Sequence, residues 1–175
     1  QIVIGFVIGL DYQNPYLDPF KEFQRFKTHP SIRPLLKEGE CLCFGARALN
    51  EGGYQCIPKL TFPGGMLIGD SAGFLNVAKI KGNHNAMRSG MLAAEAIFKE
   101  TEIASEVKHY QSAIDTSMIK RELKKARNIR PAFHKSLWWG LIYSAIDQYL
   151  LAGKAPWTFH YKVPDHATLK HKQDA

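Results

Sequence analysis

Apolar and polar positions change period several times along this chain, and each change marks an element. Ile2-Val-Ile-Gly-Phe-Val-Ile8 is an apolar run suited to a buried strand. Asp11 to Pro15 reads as a turn, and Asp18-Pro19 supplies an N-cap with proline in the first helical position, opening a helix that runs to about Thr28. Phe20, Phe23 and Phe26 recur at helical spacing and are expected to pack, with Phe44 from the next strand as a partner. Pro30 and Pro34 bracket a short helix, Ser31 to Lys37, ended by Gly39. A strand follows from Cys41 to about Arg47.

Farther on, Asn50-Glu-Gly-Gly53 marks a tight turn, and Met66 to Ile68 forms a short buried strand that stops at Gly69-Asp70. The pattern predicts a helix from about His84 to Lys99. Ala86, Gly90, Ala93, Ala94 and Ile97 form its close-packing stripe, Met87, Met91 and Phe98 an adjacent one, and Glu95, Lys99 and Glu100 face water. Val107, Tyr110, Ile114 and Met118 predict a long amphipathic helix from about Ala104 to Ala126, with a lysine-rich face opposite and Pro131 as its breaker. Ser136 to Ala152 is apolar around most of its circumference, but Asp147 and Gln148 interrupt it short of the roughly twenty residues that span a bilayer. It reads as a buried helix, or as one lying in a membrane interface with Trp138, Trp139 and Tyr143 at head-group level. The tail from Pro156 carries no periodicity and is expected to be a docked or frayed linker.

Composition allows one compact domain or parts of two. The net charge of +7 concentrates in Lys120, Arg121, Lys124, Lys125, Arg127 and Arg130, and in a tail with Lys162, Lys170 and Lys172. Such a run is a solvated helix face, or it meets anionic lipid, an acidic protein or nucleic acid. No nucleic-acid motif accompanies the charges, so nucleic acid is not expected as a partner. Cys41, Cys43 and Cys56 lack zinc or ferredoxin spacing and read as small core residues, the first two on one strand face. No metal ligands are assigned.

The chemistry lies in Gly69-Asp-Ser-Ala-Gly-Phe74 and in Gly82-Asn-His-Asn-Ala86. A strand stopping at Gly69-Asp70 holds one carboxylate where it can accept a hydrogen bond from a ribitol hydroxyl. Ala72 and Gly73, leading into Phe74, let backbone approach a pyrophosphate. Asn83 or Asn85 caps the following helix, whose N-terminus at Gly82 to Ala86 faces a flavin ring. His84 is a proton donor beside that ring or, more simply, a structural hydrogen-bonding residue. These residues outline half of a flavin site with no acid, base or nucleophile required, because the flavin carries the chemistry.

Three blocks extend the pattern: Gly5-Phe-Val-Ile-Gly-Leu-Asp-Tyr-Gln-Asn-Pro-Tyr16, Gly45-Ala-Arg-Ala-Leu-Asn-Glu-Gly-Gly53 running on to Gly65, and Gly69 through Lys81-Gly-Asn-His-Asn-Ala-Met-Arg-Ser-Gly90. Together, in that order, they resemble the electron transfer flavoprotein-ubiquinone oxidoreductases. The resemblance is dense from Ile4 to about Phe98 and returns at Arg127 to Pro131 and at Pro156-Trp157. Asp70 departs from many mitochondrial members, which carry Cys there, while Asp is usual in other flavoproteins of the same fold.

The resemblance implies an α/β fold: part of a ubiquinone- or substrate-binding domain at 1–60, the closing half of a Rossmann-like FAD-binding domain at 61–100, and C-terminal helices with a linker at 101–175. It also implies a piece of a longer FAD enzyme, inactive alone, because the family's Gly-x-Gly-x-x-Gly turn and its four iron-sulfur cysteines are not in this sequence. The whole enzyme would take electrons from electron transfer flavoprotein to ubiquinone, as a monotopic or peripheral protein of a bacterial cytoplasmic or mitochondrial inner membrane. The segment before Gly69 would line the flavin's substrate side, with Arg47 and Glu51 near the junction; alternatively the glycines at 52 and 53 serve only a hairpin. The competing readings are an FAD-dependent reductase or hydroxylase acting on a lipid-like substrate, and a basic lipid- or nucleic-acid-binding module without redox work.

Overall fold

The computed structural model describes residues 1–100 and 106–174. It divides into two compact units, one of Gln1–Ala46 with Tyr161–Ala175 and the other of Arg47–His160.

In the first unit, helix α1 (Pro19–Lys27) begins where its cap dictates: the Asp18 carboxylate accepts from the backbone N–H groups of Phe20 and Lys21 at 3.0 and 3.3 Å. Phe23 and Phe26 stack on Phe6, with ring centroids 6.0 and 5.2 Å apart. The aromatic partner therefore comes from the N-terminal run and not from Phe44, which is 96% exposed. Helix α2 is only Arg33–Leu36, because the chain first turns at His29, whose carbonyl accepts from Ile32 and Arg33. Neither expected strand forms. Residues 2–8 and 41–47 form no ladder, and Cys41, Cys43 and Cys56 are exposed instead of buried. Alternation along a segment describes its faces but cannot supply the neighbour whose backbone completes a sheet. The tail is docked, with Lys170 N–H donating to Gln13 O and the Tyr16 hydroxyl to Lys172 O.

The second unit opens on a hairpin of β1 (Thr61–Phe62) and β2 (Gly65–Met66), antiparallel, pairing Thr61 with Met66 and Phe62 with Gly65. Helices α3 (Asn83–Lys99), α4 (Lys108–Thr116), α5 (Met118–Ala126), α6 (Ile129–Phe133) and α7 (Leu137–Ala145) follow, and α7 runs on into a π-helical turn, Ile146–Leu150. Leu60, Phe74, Ala93, Ala96, Tyr110, Ile114, Ile119 and Leu123 make one buried cluster that joins the hairpin to α3, α4 and α5. The mixed α/β character is thus a helical body with one hairpin. Among the described residues there is no parallel pairing of the Rossmann kind.

Three sequence expectations shift here. The long helix is two, because Ser117 turns extended (φ −74°, ψ 167°) and its hydroxyl caps α5; Ala104 and Ser105 lie outside the described residues. The buried stripe of α3 is Asn85, Ser89, Ala93 and Ala96, leaving Ala94 and Ile97 exposed, because polar Asn85 and Ser89 find backbone partners inside. Arg127 leaves the solvated basic face altogether. It is buried, and its guanidinium donates to the carbonyls of Lys124, Gly153, Ala155 and Trp157 and to the Thr158 hydroxyl.

Candidate functional site

The site is built around the bend from Gly69 to Phe74, a single 3-10 turn over Gly69–Ala72 closed by Gly73. Its two ends are held by α3. Ser89 Oγ accepts the Gly69 N–H at 2.9 Å, and Asn85 Nδ2 donates to Phe74 O at 3.0 Å. Gly69 takes φ +60°, and a Cβ there would stand 3.2 Å from the Ala86 Cβ, so glycine permits both the left-handed turn and the close approach to α3. Ala72 and Phe74 are fully buried, and their side chains belong to the core.

Asp70 projects from this bend beside a cleft of about 570 Å³ lined by Arg47, Ala48, Leu49, Asn50, Asp70 and Ser71. Its Oδ1 is buried and has no hydrogen-bond partner. Buried carboxylate oxygens without donors are rare because desolvation goes uncompensated. The same oxygen leans on Gly82: a Cβ built there would lie 2.7 Å away. The carboxylate therefore sits against the N-terminal end of α3, where the helix dipole favours negative charge.

The residues around Gly82 divide their roles differently from the sequence expectation. Gly82 itself is the N-cap position, without a side-chain cap. Asn83 is exposed, and Asn85 is buried and spent on Phe74, so neither caps the helix. His84 Nε2 is hydrogen-bonded to Glu122 Oε2 at 3.0 Å, which gives it the structural partner that the sequence could not locate. Ala86 packs beneath Gly69. Glu122 also accepts from Asn76 Nδ2 (2.7 Å) and Lys79 Nζ (3.3 Å). Burial pushes its carboxyl up, but the hydrogen bonds from His84, Asn76 and Lys79 outweigh this and hold it below the ordinary carboxylate range.

Of the aromatic candidates, Trp138 (74% exposed) and Trp139 (43%) face outward together with Leu141, Ile142, Tyr149 and Leu150. Tyr143 does not. It is 6% exposed, its hydroxyl accepts from Trp157 Nε1 at 2.8 Å, and its ring lies 4.8 Å from Phe159. Burial raises its phenol above the usual range, partly offset by the Trp157 hydrogen bond. No helix among the described residues is long and apolar enough to cross a membrane, and no cluster of metal-ligating side chains occurs among them.

A family model described as "ETF-QO, ubiquinone-binding" matches residues 1–49. The chain is 54% identical, over 99% of its length, to the mitochondrial electron transfer flavoprotein-ubiquinone oxidoreductase of Rattus norvegicus. It is 52% identical over 99% to that of Homo sapiens, and 52% over 95% to that of Oryza sativa subsp. japonica. The chain spans about 30% of the length of these curated relatives.

Several residues that build the site carried no signal in the sequence. Ser89 and Glu122 act across turns distant in sequence, and Tyr110, read only as an apolar position, donates through its hydroxyl to Leu67 O at 3.0 Å. Helical periodicity placed Tyr110 on an apolar face without naming its partner.

Proposed function

We propose that this chain supplies part of the FAD site of an enzyme that passes electrons from reduced electron transfer flavoprotein to ubiquinone. The supporting observation is Asp70, whose buried Oδ1 has no partner in the chain and which lines a cleft together with Arg47, Asn50 and Ser71. That acceptor fits a ribitol hydroxyl, the Ala72-Gly73 backbone suits a nearby pyrophosphate, and the α3 N-terminus suits the electron-rich edge of a ring. When bound, the flavin supplies the redox chemistry. The chain's residues bind and orient it, and Arg47 adds positive charge to the cleft. An iron-sulfur cluster has no ligand set here, and no step is assigned to one.

The exposed Trp138, Trp139, Leu141 and Ile142 on α7, close in sequence to Lys135, support peripheral attachment to an inner membrane, with the tryptophans at the head groups. Relatives bearing the name mitochondrial support that compartment.

The test is an absorbance spectrum of the full-length protein, where a flavin band is expected. Replacing Asp70 with Ala should lower flavin occupancy while leaving the fold intact, since the lost oxygen has no partner in the chain. Full occupancy in that variant would refute the anchoring role.

A further inference from the structure

The bend that carries Asp70 closes on its own Gly73 and Phe74 N–H groups, and a side chain on α3 holds its entry. Ser89 is completely buried. Its Oγ accepts the Gly69 N–H at 2.9 Å and donates to Ala86 O at 2.7 Å, so it is engaged in both directions. Tyr110 presses on the same point from α4. It donates to Leu67 O at 3.0 Å, two residues before Gly69. Burial drives the Tyr110 phenol to about 12, with the nearby Ser89 hydroxyl only partly offsetting it, so the phenol keeps its proton through the physiological range. The left-handed Gly69 is thereby clamped immediately before the carboxylate. Two degrees of backbone freedom separate that clamp from Asp70.

We propose that Ser89 is a positioning residue for the flavin site: by holding the Gly69 N–H it sets the direction in which Asp70 presents its unpartnered oxygen to the cofactor chain. This rests on the FAD reading above and deepens it. A hydroxyl is required because it must accept from Gly69 and donate to Ala86 at once, which alanine cannot do and a thiol does weakly.

The experiment uses the full-length flavin-loaded protein and measures flavin release by fluorescence after dilution. Ser89→Ala should release flavin about tenfold faster, the scale of one buried hydrogen bond. Ser89→Cys keeps the branching with a slightly larger, weakly bonding atom and should release flavin faster than wild type, which tests the proposal if the alanine variant is too unstable to purify. The deciding measurement is a double-mutant cycle with Asp70→Ala. If Ser89 acts through Asp70, its substitution adds little once Asp70 is gone. Fully additive losses, or release unchanged in both Ser89 variants, would overturn the proposal. A wild-type protein without flavin would instead remove the reading on which it rests.

Discussion

Glu122 on α5 and His84 in the first turn of α3 are joined across 3.0 Å, and the same carboxylate holds Asn76 and Lys79. One acidic side chain thus ties α5 to the loop and helix start that follow the Asp70 bend. Its pKa is depressed in the fold, so its stabilising contribution is present above the ordinary carboxylate value and lost as pH falls through the folded value. Glu122→Gln should lower stability by about 1 kcal/mol near pH 7, the scale of a part-exposed charged hydrogen bond. The deficit should vanish in acid. Thermal melts of both proteins from pH 7 down to about pH 3, below the ordinary carboxylate range, check this, and a deficit that persists in acid would contradict it.

Gly82→Ala tests the seat of Asp70. Gly82 has φ −125°, so alanine brings no backbone strain, but its methyl would meet Asp70 Oδ1 at 2.7 Å and Leu75 Cδ1 at 2.9 Å. Overpacking on this scale should destabilise the fold by about 1–3 kcal/mol. Flavin occupancy of the full-length protein should fall with it.

Arg127→Lys should behave as a severe change despite the conserved charge. A single ammonium cannot reach the carbonyls of Gly153, Ala155 and Trp157 and the Thr158 hydroxyl together. A loss of about 3 kcal/mol or more is expected from stranding several buried acceptors. Denaturant titration measures it, and faster proteolysis between Gly153 and His160 should accompany it.

Trp138→Ala separates surface function from folding. The side chain is 74% exposed, so the midpoint of unfolding should move by no more than about 0.5 kcal/mol. Binding of the full-length protein to vesicles containing anionic lipid should weaken, as read by co-sedimentation. Tyr143→Phe, at a buried position, should instead cost stability by orphaning Trp157 Nε1 and leave vesicle binding alone.

Local chemistry was legible directly. The Asp18-Pro19 start of α1, the span of α3 and the small-residue bend after Gly69 follow from capping, periodicity and steric allowance, which act within a few residues of chain. What depended on long-range partners was not. The runs at 2–8 and 41–47 have strand-like composition but no strand beside them, and Arg127 looked like one more surface charge until Gly153 to Thr158 folded over it.

The sequence alone placed one carboxylate on a glycine-lined turn before a helix, because each of those features is encoded by the conformational limits of neighbouring residues. Only the tertiary structure decided that Asp70 keeps a bare, buried oxygen while the His84 ring nitrogen and the Asn85 amide nitrogen are taken up by Glu122 and Phe74. A hydrogen bond between residues dozens of positions apart depends on how whole helices pack, and no local pattern carries that geometry.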